Sequence, residues 1–110
     1  MKILLDTNSP APLARFLLGH EVFRTGDLGW QNLENGALLN AADKNGFHVL
    51  VRCDKNLPLQ QNLTDRSIAL VILSTNHWPT MRPVAARIAT KIDFVQSGQL
   101  LWIEVATLQR

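Results

Sequence analysis

Lys2-Ile3-Leu4-Leu5-Asp6-Thr7-Asn8-Ser9-Pro10 is the stretch on which the reading of the fold turns. Its apolar run stops abruptly at a carboxylate and contains no polar alternation. A short continuous apolar run of this kind fits a strand buried on both faces, as in parallel sheets. Ser9 then stands where an N-cap belongs, with Pro10 at the first helical position. The pattern is a strand, a polar rim and the start of a helix.

Working outward, the same alternation recurs along the chain. Leu13, Phe16 and Leu17 form a helical stripe that Gly19 closes, and Glu21 to Thr25 follows as a second strand. Glu34 to Asn45 places Ala37, Leu38, Ala41 and Ala42 on one side and ends at Gly46; Phe47 to Val51 is the third strand. Pro58 to Asp65 is consistent with a short helix, and Ser67 to Leu73 is the strongest strand pattern. Pro79 opens a long helix with Met81, Val84, Ala85, Ile88, Ile92 and Val95 at three- and four-residue steps. Gly98 caps it, and Leu100 to Val105 is the last strand. Regular β-α alternation with short connections predicts a three-layer α/β/α fold around a mostly parallel sheet of about five strands. Functional groups in such sheets gather beyond the carboxyl ends of the strands.

Composition sets the limits. The 110 residues accommodate a single domain over 1–110. With 46% hydrophobic and only 18% charged residues, the chain has a packed core and is not a disordered or solvating segment. The net charge of +2 permits a nucleic-acid partner without demanding one. Cys53 is the only cysteine, which excludes an intramolecular disulfide and a Cys-rich zinc site and fits a reducing, cytoplasmic setting. The N-terminal apolar run is too short for a signal peptide or membrane span, so no membrane association is expected. Tyr is absent and Phe plus Trp make up 6%, so stacked aromatics are not expected to dominate recognition.

Three strand ends carry polar triplets: Asp6-Thr7-Asn8, Asp54-Lys55-Asn56 and Ser74-Thr75-Asn76. If strands one and three are parallel neighbours, Asp6 and Asp54 share one edge of the sheet. Two nearby carboxylates repel unless a cation or proton lies between them. Mg²⁺ is commonly held by one or two carboxylates, with waters and substrate phosphate completing its octahedron. The pair therefore points to divalent-metal chemistry on phosphate. A lone Asp after a strand is more often a turn former bonded to backbone amides, and Asn8 and Asn56 read first as such local hydrogen-bonders.

The opening segment, together with Val49-Leu50-Val51-Arg52-Cys53-Asp54-Lys55-Asn56-Leu57, resembles PIN and PIN-like domains. Gly19-His20-Glu21-Val22 and Asp27-Leu28-Gly29 also resemble them, in particular the short bacterial PIN-like proteins encoded as candidate toxins beside an antitoxin. The resemblance covers most of the chain in order and spacing. It implies a metal-dependent ribonuclease using one Mg²⁺ or Mn²⁺ ion, with RNA as substrate and a cognate antitoxin protein or a second copy of the chain as partner. By position, it assigns Asp6 and Asp54 as catalytic acids and metal ligands, with Glu34 at the margin of the metal. Asn8, Asn35 and Asn56 are supporting residues. Arg52 and Lys55 flank Asp54, where each would lower its pKa or contact phosphate, an ordinary solvated charge being the first reading of both.

The chain departs from the family pattern in four places. Asn56 stands at the next acidic position, Leu57 replaces a Phe, and Arg52-Cys53 displaces the usual Thr. The helical acid falls near Asn35, with Glu34 beside it, and adjacent helix residues point about 100° apart. These departures motivate the alternative of a catalytically inactive PIN-like module that binds RNA or protein. A phosphoacceptor domain similar to response-regulator receivers would use Asp6, Asp54 and Ser74 or Thr75, but Ile103 to Gln109 lacks the Lys it needs. His20, His48 and His77 show no metal-ligand spacing. Trp30 and Trp78 are candidates for base stacking, with a helix-mouth staple the alternative for Trp78; Trp102 reads as core.

Overall fold

The computed structural model describes residues 1–53 and 66–109. Within them, five strands form one sheet: β1 (Lys2–Leu5), β2 (Glu21–Arg24), β3 (Val49–Cys53), β4 (Ala69–Leu73) and β5 (Leu100–Ile103). Their order is β2-β1-β3-β4-β5, and every pairing is parallel. The connection from β1 runs outward to β2, and all later strands add on the other side. The direction therefore reverses between β1 and β3, which makes the crevice beyond their carboxyl ends the expected binding position.

Period two along each strand divides the core into two faces. Ile3, Leu5, Val49, Val51, Cys53, Ala69, Val71 and Leu73 point to one face. There they meet Leu13 of a 3₁₀ segment (Ala11–Phe16), Leu17 just after it, and Met81, Ala85, Ile88 and Ile92 from α2 (Trp78–Met81) and α3 (Ala85–Asp93). Leu4, Leu50, Leu70 and Ile72 point to the other face, against Leu38, Leu39 and Ala42 of α1 (Asn35–Lys44) and against Phe47. The three-layer α/β/α arrangement is thus present, and the sheet is parallel throughout.

Local chemistry adjusts several boundaries. The stretch after Pro10 winds as a 3₁₀ helix with no side-chain cap, because Ser9 is buried and its hydroxyl lies 3.5 Å from the Val51 carbonyl. The expected long helix from Pro79 is broken. Pro83 offers no N–H to continue the ladder, and Arg82–Val84 becomes a 3₁₀ turn between α2 and α3. β3 extends to Cys53, beyond the expected stop at Val51, because Arg52 and Cys53 pair with Ile72 and Leu73. Gly46 ends α1 as expected, with φ of 78°, a value that costs Gly no Cβ clash. Gly98 also has positive φ, and a Cβ there would lie 3.3 Å from the Arg66 carbonyl. The expected helix from Pro58 to Asp65 lies outside the described residues.

Candidate site at the carboxyl ends of β1 and β3

The site begins with a register. Leu5 pairs with Val51, and the Asp6 N–H donates to the Val51 carbonyl at 2.9 Å. Asp6 therefore lies across from Arg52, each one step beyond that pair, and both belong to the face of Leu4 and Leu50 by strand alternation. Arg52 Nε donates to Asp6 Oδ2 at 3.1 Å. Neither side chain is fully solvated: Arg52 is 30% exposed and Asp6 17%.

The chain then turns sharply, with the Ser9 N–H donating to the Asp6 carbonyl at 2.8 Å. β2 supplies the support for this turn. Arg24 Nη2 donates to the Thr7 carbonyl at 2.9 Å and the Ser9 carbonyl at 3.2 Å. Buried Thr25 accepts the Thr7 N–H at 2.9 Å, its hydroxyl lies 2.5 Å from the Thr7 hydroxyl, and it approaches Asp6 Oδ1 at 3.5 Å. On the other side, Asn8 Nδ2 donates to the Cys53 carbonyl at 3.0 Å. Asn76, beyond β4, donates to the Asn8 carbonyl at 3.3 Å. Three of the strand ends flagged by their polar triplets thus meet at one loop.

Asn8 is a hydrogen-bonding strut here, in keeping with the local role expected of it. Glu34 is the exposed residue preceding α1, and its side chain does not cap the helix. Because α1 runs back from the carboxyl ends of the strands, Glu34 stands on the same side of the sheet as Asp6. Asp54, Lys55, Asn56 and the side chain of Asn35 lie outside the described residues. Among the described residues, no three of His, Cys, Asp and Glu form a group able to hold a metal. What the described residues offer at the switch point is one carboxylate, Asp6, fewer donors than a divalent-ion site draws on. Arg52 already engages it.

Cys53 is 8% exposed, and its thiol donates to Ser9 Oγ at 3.6 Å. Burial pushes the thiol above its ordinary range; the Ser9 bond acts against this, and the Asp6 charge adds to the rise. Such a thiol is inert packing, not a nucleophile. Ser74 Oγ accepts the Val105 N–H at 2.9 Å, tying β4 to the segment after β5.

The remaining candidates serve the scaffold. His20 Nε2 lies 2.6 Å from Asp93 Oδ1, and its Nδ1 lies 2.9 Å from the Met1 ammonium. His48 Nδ1 accepts the Lys2 N–H at 2.9 Å, and His77 Nδ1 lies 2.8 Å from the Thr80 hydroxyl. Trp30 packs on Phe47 with ring centres 6.0 Å apart, and Trp78, the first residue of α2, packs on Phe16 of the 3₁₀ segment at 6.0 Å, a contact between elements and not a staple within one helix. Trp102 packs partly buried against the second core face. Sequence inspection passed over Arg24 and Thr25 as supports of the site. The signal was present, since both stand at a strand's carboxyl end, but an Arg-Thr pair carries no acid to draw notice.

Comparisons with protein-family models, curated proteins and solved structures find no match. No helix among the described residues is long and apolar enough to cross a membrane.

Proposed function

We propose that the protein is a PIN-like, metal-dependent ribonuclease with a reduced acidic site, a candidate toxin of a toxin–antitoxin pair. The observation that carries this reading is Asp6, a partly buried carboxylate at the β1/β3 switch point. The sequence supplies a second carboxylate, Asp54, directly after the last residue of β3. Asp6 and Asp54 would hold one Mg²⁺ or Mn²⁺, with Glu34 at the margin. When bound, the ion supplies an activated water and stabilises charge on the phosphoryl oxygens. The chain's own contribution is positional. Arg24, Thr25 and Asn8 hold the Asp6–Ser9 turn rigid, and Arg52 and Lys55 offer positive charge for the RNA backbone.

The test is cleavage of RNA by pure protein with Mg²⁺ or Mn²⁺, run beside Asp6→Asn and Asp54→Asn. Metal-dependent cleavage lost in both variants is the expected result. Cleavage unchanged in the variants overturns the assignment.

A second reading, a catalytically inactive PIN-like module binding RNA or protein, is favoured by the Arg52–Asp6 ion pair, which neutralises the carboxylate without a metal. RNA retention without turnover in the same assay selects it.

A further inference from the structure

We propose that the outer edge of β5 is a self-association surface, on which a second copy of this chain adds its own β5 in antiparallel register about a two-fold axis at Leu101. β5 ends the sheet, and among the described residues no strand pairs with its outer side. The hydrogen bonds to β4 fix which backbone groups face outward. The Leu70 N–H donates to the Gln99 carbonyl at 2.9 Å, and the Ser74 N–H to the Ile103 carbonyl at 3.0 Å. Backbone direction alternates along a strand, so Gln99, Leu101 and Ile103 serve β4. Leu100 and Trp102 aim both N–H and C=O away from the sheet.

The side chains on this edge do nothing to keep a second strand off. Native edges are commonly guarded by charge, proline or a covering element. The opposite edge, β2, carries Glu21 and Arg24. β5 reads Leu-Leu-Trp-Ile, with Leu100 42% exposed. An open cavity of about 230 Å³ lies beside it, lined in part by Leu101, Ile103, Lys91 and Leu108. Such an edge takes an extended apolar segment with outward N–H and C=O groups, and β5 is itself such a segment. Closed two-fold association sets the same element on both sides, which makes the pair antiparallel. An axis at Leu101 sets Leu100 against Trp102 of the second copy, and Trp102 against its Leu100. Four N–H···O bonds then form entirely from the outward groups. Shifting the axis in either direction sets one of these residues against Gly98 or Glu104, beyond the strand. Leu100 and Trp102 become apolar cross-strand pairs on one face. Leu101 meets its own copy on the other, over the cavity.

Sedimentation equilibrium of the full chain tests this. A reversible dimer is expected, with a dissociation constant on the order of 10–1,000 µM, because strands this short make a small interface. Leu100→Pro removes an outward N–H and none from the β4 ladder, a place where an edge strand accepts proline. With folding checked by circular dichroism, it is expected to weaken the dimer about 30-fold, since half of the bonds across the edge are lost. Cysteine substitution reads the register. Leu101→Cys faces its own copy and is expected to form a disulfide-linked dimer, with oxidised glutathione, about tenfold faster than Leu100→Cys. Random collision would favour Leu100, the more exposed position, and the native Cys53 is buried. A monomer up to about 1 mM overturns the proposal. So does a dimer that Leu100→Pro leaves intact, or one in which Leu100→Cys links as fast as Leu101→Cys.

Discussion

The side-chain amide of Asn8 donates to the main-chain carbonyl of Cys53 at 3.0 Å, joining the turn after β1 to the last residue of β3. Parallel strands bond to one another only along their paired length. Beyond it, each chain end must be held by side chains, and Asn8 does this for the two strands that flank the switch point. Asn76 extends the tie to the segment after β4. The polar triplets at the strand ends are thus, in part, the stitching of the rim on which Asp6 sits.

Replacing Asn8 by Asp tests that role. The carboxylate has no donor for the Cys53 carbonyl and sets acceptor against acceptor. Asn8→Asp should lose about 1–3 kcal/mol of stability at neutral pH, and Asn8→Ala about 1 kcal/mol. Urea denaturation measures both. Wild-type stability in Asn8→Asp would mean that the bond does not hold the rim.

Thr25 is 1% exposed, and its hydroxyl satisfies the Thr7 N–H. Valine preserves the shape and removes the acceptor, leaving that amide without its partner, so Thr25→Val should cost about 1–3 kcal/mol. Thr25→Ser keeps the hydroxyl and gives up a buried methyl, a loss of about 1 kcal/mol. Thermal unfolding should therefore rank wild type above Ser and Ser above Val. Val at or above Ser would show that packing, not the hydrogen bond, is what Thr25 contributes.

The Cys53 thiol is raised above its ordinary range, chiefly by burial, so the folded state disfavours the thiolate. A group raised on folding contributes stability that is complete below its unfolded value and is lost as pH climbs through the folded one. Stability should accordingly fall as pH rises above about 8.5, the ordinary thiol value, and Cys53→Ser should flatten that fall. Alkylation at pH 8 should be slow, and faster in Asp6→Asn, because the neighbouring negative charge no longer opposes the thiolate. Equal rates in the two proteins would show that Asp6 does not influence the thiol.

The fold was legible wherever the apolar pattern was unbroken. Ile68 to Leu73 and Ile3 to Leu5 announced buried parallel strands, and Gly46 announced the end of α1. Legibility failed where a tertiary partner overrides a local preference. Ser9 has the chemistry of an N-cap, yet its hydroxyl faces β3, and the turn after Pro10 tightens to 3₁₀. Arg52 looked like the polar end of a strand, yet it stays in the sheet because Ile72 pairs with it. The Asp6–Arg52 contact could not be read from either residue alone. It follows from register, which spacing does not specify.

Glu34 supplies the sharpest test of the extent of the proposed acidic site. It is exposed, and its side chain does not cap α1, so Glu34→Gln should leave stability unchanged within about 0.5 kcal/mol. Any change in Mn²⁺ affinity then reports a role toward the ion and not a folding defect. On the proposed reading, which sets Glu34 at the margin of a metal, it would act from the outer shell, where loss of a partner weakens metal binding by about 10- to 100-fold. Asp6→Asn removes a charged ligand outright and should be more damaging than that. Calorimetric Mn²⁺ titration of the two variants should therefore show Glu34→Gln weakened and Asp6→Asn without measurable binding. Wild-type affinity in Glu34→Gln would remove Glu34 from the site and leave Asp6 and Asp54 as its only acids.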